Sequence, residues 1–196
     1  MERLIGLDET LPGVVVGCDP GPEHCAFVAL ERRGDGTLAL RGAAYPEWHE
    51  LVTDPGALAK VVPDAEFAFA YEKVTSRYGA MPGATTYDTC RNAGVALVRM
   101  VQAGAKAAYG LGTVDWRVAL GGRTNLSDAE VHAALVSVLG EEQDRTLSAL
   151  AKEIKKWYNM PKPVGCHLRD AAGAAAGAFL MKRHGTPASA REVWHV

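Results

Sequence analysis

Apolar and polar positions alternate most cleanly over residues 66–74. Extended there, the chain puts Phe67, Phe69 and Tyr71 on one face and Ala68, Ala70 and Glu72 on the other. A β-branched run over 14–18 stops at Asp19-Pro20-Gly21-Pro22, where proline and glycine force the strand to turn. Residues 25–31 and 37–45 supply two more strands around Gly34-Asp35-Gly36, so the first three strands read as an antiparallel meander. A fifth strand is predicted over 113–118. Helical spacing predicts helices over 85–105 and from the N-cap Ser127 to Leu139, the latter with Asp128 and Glu130 in its first turn and Gly140 as its stop. In 142–158, Leu147, Leu150, Ile154 and Trp157 or Tyr158 recur at helical spacing with Lys152, Lys155 and Lys156 between them. A last helix is predicted over 168–184, and a short one near 56–61 among Pro46, Pro55 and Pro63. The order predicts one α/β domain over 1–196, a mixed central sheet flanked by helices. Residues 1–12 form an arm, 141–160 an additional helix and 185–196 a loose tail.

Four residues stand at the ends of these elements. Asp19 and Glu72 close strands, and His167 and Asp170 open the Ala/Gly-rich final helix. Gly17 shares a strand face with Val15 and Asp19 and leaves room for another element to approach. The run AAGAAAGA lets the final helix be that element, and His167, Asp170, Ala171 and Ala174 lie on one of its faces. Taken singly, these are a common turn, a solvated strand-end acid and a helix-start pair favoured by the dipole. Taken together, two acidic strand ends facing an acidic helix start suit hard divalent cations, which drive phosphodiester hydrolysis. His167 fits a ligand, a general base or a proton shuttle.

Composition narrows the class. With 48% apolar and 22% charged residues the chain reads as an ordinary globular protein, and no run approaches the ~18 apolar residues of a membrane span. The N-terminus has no apolar signal-like core, so a cytoplasmic setting is expected. Cys18, Cys25, Cys90 and Cys166 lack CxxC spacing and are expected to be reduced and mostly buried; Cys18 should point away from Asp19's face. A net charge of −2 is not that of a strongly basic DNA binder, so any nucleic-acid contact must come from a local basic surface. The candidates are Lys73, Arg77, Arg91, Arg117 and Arg123, with Tyr78 and Tyr87 placed to stack on an unpaired base.

Gly17-Cys18-Asp19-Pro20-Gly21, Glu72 at the fourth strand's end and His167-x-x-Asp170-Ala171 together resemble the RuvC-like Holliday junction resolvases of the RNase H-like superfamily, in the phage-type branch. The segment from Trp116 to Gly122 is similar to that family's intermediate motif, and the resemblance spans roughly 13–182. It implies an RNase H-like fold with a five-stranded mixed sheet. It further implies Asp19, Glu72, His167 and Asp170 as catalytic and metal-binding residues, and Mg²⁺, with Mn²⁺ able to substitute, as cofactor. The implied enzyme is a homodimer that cuts four-way junction DNA in symmetric strands, with the helix near 85–105 as its interface. Other branched DNA, flaps or RNA–DNA hybrids are alternative substrates, and a branched-DNA binding module without catalysis is the non-enzymatic alternative. The chain departs from the family at Cys25-Ala26-Phe27, where Thr-Gly precedes an aromatic, and at Asp128, where many members carry lysine. Either Arg123 substitutes for that lysine or its role is absent.

Overall fold

The computed structural model describes residues 7–73, 83–158, 164–181 and 192–195, with side chains given to 156 in the second span and not in the last. Three strands form the meander: β1 (Val14–Pro20), β2 (Cys25–Arg32) and β3 (Leu38–Ala44). β4 (Phe67–Glu72) then pairs parallel to β1, and β5 (Ala105–Leu111) parallel to β4. This is the expected mixed five-stranded sheet. A sixth short strand, β6 (Glu192–His195), pairs antiparallel to β5, giving the order β3-β2-β1-β4-β5-β6. The expected loose tail therefore carries a strand over 192–195. The expected N-terminal arm is fastened from Asp8 onward: its amide donates to the Phe179 carbonyl at 2.7 Å, and Arg32 donates to its carbonyl at 2.8 Å.

Helices cover both faces. One face carries α1 (Trp48–Thr53) and α2 (Ala84–Gln102), packed on Val16, Cys18, Phe27, Phe67 and Phe69. The other carries α3 (Thr113–Gly121), α4 (Asp128–Leu139), α5 (Glu141–Tyr158) and α6 (Val164–Leu180), packed on Val15, Val28, Ala68 and Ala70. The alternation of β4 holds as read, and Cys18 faces away from Asp19's side. All four cysteines are free; Cys18 and Cys25 are buried, whereas Cys90 and Cys166 are exposed.

Three element assignments differ from expectation. The predicted strand over 113–118 is α3: the Asp115 carboxylate accepts from the Gly112 amide at 2.9 Å and closes the helix start. The fifth strand lies earlier, after α2 ends and Gly104 (φ 99°) reverses the chain. The short helix sits at 48–53, capped by Glu50 accepting from the Glu47 amide at 2.7 Å, while residues 55–60 form turns behind Pro55. α6 starts at Val164, so His167 and Asp170 lie in its first two turns. α5 lies against the open edge of the sheet, with the Leu40 amide donating to Gln143 at 3.1 Å.

Candidate active site

Parallel pairing of β1 with β4 runs Gly17 beside Ala70 and Cys18 beside Tyr71, which carries Asp19 and Glu72 to adjacent positions at the C-terminal ends of the two central strands, the carboxylate edge of the sheet. α6 reaches the same edge because Gly17 has no side chain. A Cβ there would enter the van der Waals shell of the Ala171 carbonyl oxygen and come within 2.8 Å of the Ala175 amide nitrogen. On its other side α6 takes the buried Trp116 against two glycines: a Cβ at Gly173 would meet the indole ring at 2.7 Å, and one at Gly177 would meet the Trp116 Cβ at 2.6 Å. The small-residue run thus serves two close approaches, one to the sheet and one to α3.

The side chains converge as follows. His167 Nδ1 stands 2.8 Å from Asp19 Oδ2. Glu72 is gripped at both oxygens, by the Thr113 hydroxyl at 2.5 Å and the Trp116 indole N–H at 3.2 Å. Burial pushes the Glu72 carboxyl above its ordinary value; the Thr113 bond pulls it back, Asp19's charge raises it again, and Trp116 and Arg117 lower it. Burial, then the charges of Asp19 and Glu72, push Asp170 up to about 7 against the opposing pull of Arg117 and His167. Three carboxylates therefore share one electrostatic neighbourhood, and two of them resist ionisation. Beside them Tyr45 stacks on His24 at 5.0 Å and lies 6.1 Å from the His167 ring; burial and the Asp19 charge push its hydroxyl up to about 12.

Among the described residues no group of three or more His, Cys, Asp or Glu side chains is arranged as a ready metal cage. The reason is visible in the bonds above: Asp19 points an oxygen at His167, and both Glu72 oxygens accept from α3. The donor chemistry nonetheless fits a hard cation. Mg²⁺ takes one or two carboxylates and fills its remaining positions with water and substrate phosphate, so it needs an open set of oxygens. A cation here would also offset the burial and the carboxylate repulsion that together raise Asp170 and Glu72.

The other expected residues scatter. Arg117 belongs with the site: it lies 5.4 Å over the Trp116 ring, donates to the Leu126 carbonyl at 2.9 Å and pairs with Asp128 at 3.4 Å, and its buried Nε has no hydrogen-bond partner among the described residues. Arg123 pairs with Glu130 on the surface. The Lys73 stem lies over Gly110, where a Cβ would meet it at 2.9 Å. Arg91 stands on the opposite face of the sheet, with its guanidinium 4.5 Å over the Trp48 ring. Arg77 and Tyr78 lie outside the described residues. The reading of the sequence missed Thr113, Trp116, Tyr45 and the buried Asn92, whose amide donates to the Gly21 and Pro22 carbonyls at 2.8 and 2.9 Å and so fixes the turn after Asp19.

No protein-family model and no curated protein matches the sequence. Solved structures do. RuvC from Thermus thermophilus in complex with Holliday junction substrate superposes with a TM-score of 0.63 at 21% identity, covering 89% of this chain and 98% of that one. A second Thermus thermophilus RuvC structure gives 0.62 at 22%, covering 88% and 97%. The yeast mitochondrial Holliday junction resolvase Ydc2 follows at 0.39 and 14%, covering 88% and 82%. The first two show that the chain has RuvC's RNase H-like fold, as the motif resemblance implies. Both are bacterial, and the phage-type branch is not borne out. No helix among the described residues is long and apolar enough to cross a membrane.

Proposed function

We propose that this protein is a metal-dependent, structure-selective endonuclease that resolves four-way DNA junctions by paired phosphodiester hydrolysis. The observation that carries the reading is the convergence of Asp19, Glu72, His167 and Asp170 at one edge of a RuvC-type sheet. The Thermus thermophilus protein with that fold was solved on a Holliday junction. Asp19, Glu72, His167 and Asp170 would hold Mg²⁺, with Mn²⁺ able to substitute. Bound there, the ion supplies charge stabilisation on the phosphate and a more acidic attacking water.

The chain's own groups have defined work. Asp19 accepts from His167 Nδ1–H, which orients the imidazole and leaves Nε2 as the nitrogen that takes up a proton. Thr113 and Trp116 fix the Glu72 carboxylate in one orientation. Arg117 offers positive charge beside Glu72 and Asp170, where a phosphate would lie. Lys73, Arg77, Arg91 and Arg123 are the remaining candidates for phosphate contacts, and Tyr78 for base stacking. Symmetric cutting requires two sites, hence a homodimer.

The test is a mobile four-way junction with Mg²⁺, compared with a flap and an RNA–DNA hybrid, mapping whether nicks fall in opposed strands. Asp19→Asn is expected to abolish cutting while junction binding survives. Cleavage at the wild-type rate by that variant, or a preference for the hybrid, overturns the assignment. Sedimentation of the free protein checks the dimer.

A further inference from the structure

We propose that Trp48, backed by Arg91, is a stacking platform for an unpaired DNA base at the rim of the carboxylate edge. The inference rests on the nucleic-acid reading above and adds to it a recognition element on the face opposite α6. Its first support is position. β1, β3 and β4 all run in one direction, because β3 is antiparallel to β2, and β2 to β1, while β4 is parallel to β1. The chain therefore leaves β3 at the edge where Asp19 and Glu72 end their strands, and Trp48 follows four residues after Ala44.

The second support is mounting. The Trp48 amide donates to the Glu23 carbonyl at 3.0 Å, so the indole is tied to the turn that follows Asp19. Asn92 holds the same turn from α2 through the Gly21 and Pro22 carbonyls, and its Oδ1 accepts from Arg91 Nε at 3.1 Å. The platform and the candidate catalytic acid thus share one rigid support.

The third support is chemistry. Trp48 is 38% exposed although the Arg91 guanidinium sits 4.5 Å over its ring, and Tyr87, one helical turn before Arg91, is 63% exposed. An exposed indole with a cation on one face offers a nucleobase a broad surface; Arg91 also pairs with the half-exposed Asp88 at 3.1 Å, a solvent-screened contact that a neighbouring phosphate can replace. The ligand class is an unpaired nucleotide, such as one opened at a branch point. A purely structural pair would matter for folding alone.

The experiment uses the whole protein in EDTA with two probes: a single-stranded oligonucleotide and a four-way junction, each carrying 2-aminopurine. Trp48→Ala is expected to weaken single-strand binding by roughly 5- to 100-fold and to abolish the quench that the wild type produces. Trp48→Phe should restore most of both. Arg91→Ala should lower the slope of log affinity against log salt by about 1. Melting curves confirm that the variants fold. If Trp48→Ala binds and quenches both probes like the wild type, the platform is refuted even where the junction is cut. Quenching of the single strand that depends on Trp48 sustains the platform even if no junction is ever cleaved.

Discussion

Replacing Asp170 by asparagine should stabilise the metal-free protein at alkaline pH, and the gain should vanish in acid. Asp170 ordinarily titrates at 3.8 but is pushed up to about 7 in the fold, chiefly by burial and then by Asp19 and Glu72. Between these values the folded state holds a proton that the unfolded state releases, so stability falls as pH rises through the window. Above about 7 the folded protein bears the full cost of the charge; below 3.8 both states are protonated and there is no cost. At 1.36 kcal/mol per pH unit, the upper limit is about 4 kcal/mol. Protein sites relax and admit water, so about half of that, ~2 kcal/mol, is the expected gain, or a Tm rise of roughly 4–8 °C for a chain of this size. The assay is thermal denaturation of wild type and Asp170→Asn in EDTA from pH 4 to pH 9. The gap between the curves should open with pH. Added Mg²⁺ should raise the wild-type Tm at pH 8 and leave the variant's almost unmoved. A gap that is constant across pH, or an asparagine variant less stable at pH 8, would show that burial and the neighbouring carboxylates do not raise Asp170 as described.

Thr113→Val removes the 2.5 Å bond that holds the Glu72 carboxylate down. The Glu72 group should titrate higher, and the acid limb of a cleavage pH profile should move to higher pH, with an unchanged limb counting against the role. Gly17→Ala places a methyl group against the Ala171 carbonyl and the Ala175 amide, both backbone atoms that cannot swing aside. It should cost at least the ~1–3 kcal/mol of an overpacked core, read by urea denaturation, and a neutral result would contradict the packing of α6 on β1. Asn92→Ala removes both donors to the turn after Asp19, which should cost about 1–3 kcal/mol by the same measurement.

Much of this was legible in the sequence because it depends on strong local signals. The alternation of 66–74 assigns faces without ambiguity, and Pro20-Gly21 ends β1 wherever the rest of the chain goes. Gly17 and the small-residue run were readable as a close approach because nothing else explains so little side-chain volume at matching positions. The error at 113–118 has a physical cause. Thr113, Val114 and Val118 are β-branched and suggest a strand, but Gly112 and Asp115 close a helix start, and that local bond wins. Conversely, β5 reads Ala-Lys-Ala-Ala-Tyr-Gly-Leu, a poor strand by propensity, and forms because β4 offers a parallel edge to pair with. Non-local bonds, such as Asn92 to Gly21, leave no local trace.

The misread helix is also what connects packing to chemistry. α3 places Thr113, Trp116 and Arg117 within five residues, and each acts on the carboxylates by a different route: a hydroxyl bond, an indole bond and a charge. Trp116 additionally packs its ring on Gly173 and its Cβ on Gly177, so the position of α6, and with it His167 and Asp170, depends on the same residue that orients Glu72. Trp116→Phe separates the two duties. Most of the ring volume remains, so α6 should stay seated with a cost of ~1–3 kcal/mol, while Glu72 loses an indole donor. Cleavage should then fall more steeply than stability. If activity tracks stability alone across Trp116→Phe and Gly17→Ala, the indole serves packing only and the orienting role assigned to it is wrong.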